Sequence, residues 1–145
     1  MRRLKIVLFI GLIAAWSVSF ASPESDDTQA LQGTWKLVSC VANGGPQTAD
    51  MQWIVSGNQY TVRLNGQSEG VPYVFKLDTK QKHIDAVHHD TPAGTYGGRF
   101  KGIYDVQENT LRVCYDLKGQ KYPTSFDAPR GCTQVLYEFQ RAGGN

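Results

Sequence analysis

Leu31-Gln32-Gly33-Thr34-Trp35-Lys36-Leu37-Val38, near the start of the chain, and Gln134-Val135-Leu136-Tyr137-Glu138-Phe139-Gln140-Arg141, near its end, decide the fold. Trp35 and Leu37 share one side of the first stretch; Val135, Tyr137 and Phe139 share one side of the second. That period of two is the mark of a half-buried strand. The two read as the first and last strands of one sheet. If they pair, the sheet closes into a barrel with no free edge and an enclosed interior. An antiparallel pairing with Trp35 opposite Phe139 sets Cys40 opposite Gln134, about one pleat from Cys132.

Between them the pattern is strand and turn. Strands are expected at Gly33 to Val41, Met51 to Ser56, Asn58 to Leu64, Ser68 to Leu77, Lys82 to His88, Arg99 to Val106, Thr110 to Leu117 and Thr133 to Arg141. Asn43-Gly44-Gly45-Pro46 breaks the chain, and Asn65-Gly66 is the tight-turn pair that two-residue hairpins need. Eight short antiparallel strands of this kind fit an all-β, up-and-down barrel or a two-sheet sandwich. Alternation turns inward Trp35 and Leu37; Trp53 and Val55; Tyr60, Val62 and Leu64; Tyr73, Phe75 and Leu77; Phe100, Tyr104 and Val106; Leu111, Val113 and Tyr115. Nearly every strand supplies an aromatic. An eight-stranded interior holds its own side chains or one small ligand.

The flanks read differently. Met1-Arg2-Arg3-Leu4-Lys5, the apolar run Ile6 to Trp16 and Ser19-Phe20-Ala21 together have the layout of a secretory signal peptide, residues 1–21. Export to the periplasm or medium is therefore expected, without a membrane span, since no run approaches the roughly 20 apolar residues of a spanning helix. Residues 22–30 read as a flexible acidic leader, with a short helical turn from Asp26 to Gln32 capped by Ser25 or Asp26. Residues 31–142 form the barrel domain, and 143–145 a frayed tail. The formal charge of +2 becomes −1 once Arg2, Arg3 and Lys5 are removed. No basic run remains on which nucleic acid or an anionic membrane could bind.

Three cysteines, Cys40, Cys114 and Cys132, allow three pairings or three free thiols. The strand register favours Cys40 with Cys132; Cys114 with Cys132 is the nearest alternative.

Leu31 to Val38 also carries a resemblance, which continues through Phe75-Lys76-Leu77-Asp78, Lys82-His83-Ile84-Asp85, Gly102-Ile103-Tyr104-Asp105, Asn109-Thr110-Leu111-Arg112-Val113-Cys114-Tyr115 and Tyr122-Pro123-Thr124-Ser125-Phe126. Over Leu31 to Arg141 the chain resembles an uncharacterised lipocalin-like domain family abundant in planctomycete-type bacteria. The resemblance implies a lipocalin-like (calycin) barrel and carries over no activity. Gly33-x-Trp35 is also similar to the opening motif of lipocalins and fatty-acid-binding proteins. That likeness implies a structural Trp across the closed end of the barrel, packed on a basic side chain of the last strand, here Arg141.

Few residues have the arrangement that chemistry requires. His83-Ile84-Asp85-Ala86-Val87-His88-His89-Asp90 holds all three histidines. Yet an extended strand spreads His83 to His89 over about 20 Å, too far for one ion, so no metal is expected. Ser56, Ser68, Ser125 and Cys114 lack the context of an activated nucleophile. Cys114 alternates with Arg112 and Asp116 and is read as outward. Asp105, Asp116 and Asp127 fall at strand ends or turns, away from the apolar setting that acid-base pairs need. No catalytic residue and no cofactor are expected. The connection Lys118 to Gly131 is long, and could cover a barrel mouth with Thr91 to Arg99 as the opposite lip, or simply be tied down on the barrel.

The reading is a noncatalytic exported barrel binding a small, mostly apolar ligand against Trp53, Tyr60, Tyr73, Phe75, Phe100, Tyr104 and Tyr115. The alternative is an envelope protein–protein interaction module with a filled core.

Overall fold

A computed structural model describes residues 23–88 and 98–143; the expected signal peptide, most of the Thr91 to Arg99 lip and the last two residues lie outside them. One helix, α1 (Pro23–Leu31), precedes ten strands: β1 (Gly33–Ala42), β2 (Gly45–Gln47), β3 (Met51–Ser56), β4 (Gln59–Leu64), β5 (Gln67–Ser68), β6 (Tyr73–Asp78), β7 (His83–Val87), β8 (Arg99–Val106), β9 (Thr110–Asp116) and β10 (Gln134–Arg141). Antiparallel pairing runs β10-β9-β8-β7-β6-β4-β3-β1, and β1 pairs again with β10. The result is a closed eight-stranded barrel, consistent with a lipocalin-like fold. The short β2 and β5 are hairpin returns on β1 and β4.

Every residue read as inward from β1 to β10 is buried or half-buried. The closing register differs from expectation. Trp35 stands opposite Arg141 rather than Phe139, and the pairing slips again between Leu37 and Ser39, where a bulge leaves Val38 55% exposed. Cys40 therefore faces Tyr137, five residues from Cys132. At ~3.3 Å per residue that distance exceeds what a disulfide can bridge. All three cysteines are free thiols, so the favoured Cys40–Cys132 bond is not formed.

The expected strand from Ser68 to Leu77 is also interrupted. β5 folds back on β4 through Asn65 and Gly66, and regular pairing resumes only at Tyr73, because Gly70 takes a φ of 90° and Pro72 has no N–H for a ladder. Val71 is 38% exposed there.

Pro23–Leu31 is helix, where a flexible leader with a turn at Asp26 to Gln32 was expected. Pro in the first turn has a preset φ, and acidic residues suit the positive end of a helix. Tertiary contacts anchor it. Leu31 is buried in the core and its carbonyl accepts the Trp35 indole N–H at 2.8 Å. Asp27 accepts from Lys82 and Tyr104, and the Gln32 amide pairs with the Gly57 backbone in both directions, at 2.7 and 2.9 Å. α1 thus closes the end of the barrel where β1 begins. Burial of large side chains there, Trp35, Leu111 and Phe139 among them, contributes roughly 1.5–3 kcal/mol each.

The connection from 118 to 133 covers neither barrel mouth. It lies along the outer wall, where Ala128 and Phe126 join Cys114, Ile103, Leu136, Val41 and Cys132 in a second apolar cluster. Cys114 does point outward, as read, yet is 0% exposed beneath this strap. Asp116 anchors it, accepting N–H groups of Lys118, Gln120 and Lys121 and the Thr133 hydroxyl. Burial raises the Asp116 pKa, but these four donors outweigh it and hold the carboxyl below its ordinary value.

Candidate functional site

The barrel is filled at one end and hollow at the other. At the α1 end, Trp35, Leu111, Phe139 and Tyr104 close the interior. Towards the opposite end, where β3 begins and β9 ends, a cavity of about 210 Å³ opens to solvent.

Its walls follow from strand alternation. Trp53, on β3, meets four other rings, those of Tyr60, Tyr115, Tyr137 and Phe139. On neighbouring β4 and β6 the rings of Tyr60 and Tyr73 continue a stack: Trp53 to Tyr60 at 4.4 Å and 16°, Tyr60 to Tyr73 at 4.8 Å and 3°. Phe100 and Tyr115 complete the aromatic lining across the interior. Gly102 makes room for them. A methyl group at that position would come within 2.6 Å of the Tyr115 ring, so only hydrogen lets the ring lie against β8.

Four phenols bring the polar atoms. The hydroxyls of Tyr60 and Tyr115 share a hydrogen bond of 3.2 Å. Those of Tyr73 and Tyr137 have no protein partner among the described residues; no buried side-chain polar atom lacks one, so both oxygens reach accessible space. Burial pushes the pKa of Tyr60, Tyr115 and Tyr137 far up, so these phenols stay neutral and hydrogen-bond competent. Burial also raises Tyr73, and the negative charge of Glu69 adds to it. Glu69, in the connection between β5 and β6, is the one charged side chain among the described lining residues.

Trp53, Tyr60, Tyr73, Phe100 and Tyr115 line the cavity as read from sequence. Phe75 and Tyr104 do not: both face inward, but Phe75 sits lower in the packed core and Tyr104 at the closed end beside Asp27. Met51, Val62, Leu117 and Tyr137 also line it; Val62 and Tyr137 share the inward alternation, and Met51 falls on the Trp53 side of its strand. Glu69 lies in a connection where periodicity carries no signal.

Gly33, Trp35 and Arg141 meet at the closed end. The Arg141 guanidinium lies over the Trp35 ring and donates to the carbonyls of Gln32, Ala30 and Glu108. The histidine stretch does not converge. His83 stacks on Tyr122 at 3.8 Å, Asp85 accepts the Tyr122 hydroxyl at 2.7 Å, and His88 contacts the Val71 carbonyl and the Tyr73 ring. His89 and Asp90 lie outside the described residues. Among the described residues no three His, Cys, Asp or Glu side chains gather within reach of one ion. A larger groove of about 590 Å³, between the strap and β7 to β9, is an open surface feature bordered by Lys82, His83, Arg112 and Phe126.

No protein-family model, curated protein or solved structure matches the chain.

Proposed function

We propose that this protein is a noncatalytic barrel that holds one small, mostly apolar molecule in the open half of its interior. The observation that carries this reading is the aromatic cavity of about 210 Å³. It is smaller than the ~300–1,000 Å³ of drug-sized ligand sites and larger than the ~150 Å³ apolar void that takes up benzene. The guest is accordingly one ring system with a short substituent, oriented by phenol oxygens. Catalysis is no part of the reading, because the polar side chains among the described lining residues are phenols and one exposed carboxylate. The signal-like sequence at residues 1–21 supports a place of action in the periplasm or medium, and the motifs from Leu31 to Arg141 support kinship with lipocalin-like domains.

Native mass spectrometry of the protein isolated from its own host tests the reading. The expected result is a noncovalent adduct of small mass, absent from a Met51→Trp variant whose indole fills the rim. A stoichiometric polypeptide in place of that adduct would support the interaction-module alternative and overturn ligand binding.

A further inference from the structure

We propose that the guest is a cation, a primary amine on a small flat apolar body, with its ammonium held in the open half of the cavity by Glu69 and the phenol oxygens of Tyr73 and Tyr137. This rests on the reading of the cavity as a ligand site and specifies the charge of what enters.

The argument begins from the inventory of polar groups. Among the described lining residues there is one charge, it is negative, and none of those residues is Lys, Arg or His. Arg99, which begins β8 at the same end, is exposed and is not a lining residue. His88 packs on the Tyr73 ring and likewise does not line the cavity. Glu69 forms no ion pair among the described residues. Glu69 and Tyr73 line the same cavity, and the Tyr73 hydroxyl has no protein partner among the described residues.

An ammonium group carries three donors and no acceptor. The cavity lining supplies a carboxylate, Glu69, and the phenol oxygens of Tyr73 and Tyr137, all able to accept. A phenol could also donate to an anion, so the hydroxyls alone do not choose a sign; Glu69 does. A carboxylate ligand such as a fatty acid would lose hydration beside a like charge with no cation to compensate, and charges leave water at a cost unless paired. An ammonium in the same place exchanges water for charge-assisted hydrogen bonds, which are stronger than neutral ones.

Isothermal calorimetry with phenethylamine, phenethyl alcohol and phenylacetate tests the sign, because the three share a ring and differ in the head group. Phenethylamine is expected to bind about fivefold more tightly than the alcohol, in keeping with a solvent-accessible ion pair, and phenylacetate more weakly than both. In Glu69→Gln the advantage of the amine over the alcohol, both measured on the variant, should shrink to within roughly twofold. If the alcohol or phenylacetate binds as tightly as the amine, or if Glu69→Gln leaves the order intact, the charge assignment fails while the ligand site stands. If none of the three gives heat of binding, the ligand site itself fails and the assignment with it.

Discussion

The guanidinium carbon of Arg141, the last residue of β10, lies 4.2 Å from the centre of the Trp35 ring near the start of β1. The same group donates to the carbonyls of Gln32 at 2.6 Å, Ala30 at 2.8 Å and Glu108 at 2.9 Å. One side chain therefore ties the last strand to the end of α1, to the β8–β9 turn and to the floor of the barrel. Arg141→Ala should lower the unfolding free energy by about 3 kcal/mol, since it removes charged hydrogen bonds and a cation–π contact together. Arg141→Lys keeps the charge but lacks the planar fork, and should recover less than half of that loss. Urea denaturation of the three proteins checks this; full recovery by lysine would show that charge alone matters.

The buried phenols set an alkaline limit on stability. Tyr60, Tyr115 and Tyr137 have folded-state pKa values raised above the ordinary 10.0 chiefly by burial; neighbouring Tyr115 adds to the rise at Tyr60, whereas at Tyr115 the hydrogen bond with Tyr60 opposes it without cancelling it. A raised value means that the neutral form is favoured by folding. Their contribution is thus complete below about pH 10 and is lost as pH rises towards the folded values. Phenolate absorbance followed against pH should show these three ionising in one cooperative step that coincides with loss of the β-sheet circular dichroism signal. Gradual titration of all tyrosines ahead of unfolding would contradict it.

Thiol chemistry separates the three cysteines. Cys40 faces the interior and Cys114 lies beneath the strap; burial raises the pKa of both and keeps them as unreactive thiols. Cys132 is only partly covered. A thiol-reactive chromogen should label one group rapidly in the native protein, at Cys132, and three in denaturant without reductant. A denatured count of one would reveal a disulfide.

Period-two alternation made the barrel and most of its lining legible, because a strand has only two faces and Trp53, Tyr60, Tyr73, Phe100 and Tyr115 fall on the buried one. Alternation gives the face but not the height. Phe75 and Tyr104 face inward like the others, yet strand stagger sets them below the cavity, and stagger depends on pairings between distant segments. The closing register, two residues off at Trp35, and the bulge at Val38 belong to that class, and together they moved Cys40 away from Cys132. The strap was unreadable for another reason. Its anchors, Asp85 for Tyr122 and Arg112 for Phe126, sit on outward faces that pattern treats as solvated. α1 was partly legible in its acidic residues, but its end is fixed by the Trp35 indole, which reaches back to the Leu31 carbonyl, and by Arg141, which acts across the chain.

Gly102 should be the most sensitive position in the cavity wall. An added methyl would sit 2.6 Å from Cδ1 of Tyr115 and 2.8 Å from the Cys114 carbonyl oxygen, closer than real contacts allow. Gly102→Ala must therefore displace the Tyr115 ring towards the cavity and break its 3.2 Å contact with the Tyr60 hydroxyl. Overpacking of this kind costs about 1–3 kcal/mol, measurable as a lower melting temperature, and should reduce the uptake of phenethyl alcohol. If the ring is the main obstacle, the penalty shrinks in a Tyr115→Leu background, giving a coupling of at least about 0.5 kcal/mol in the double-mutant cycle. An undiminished penalty would instead assign the strain to the Cys114 backbone and leave the cavity lining out of it.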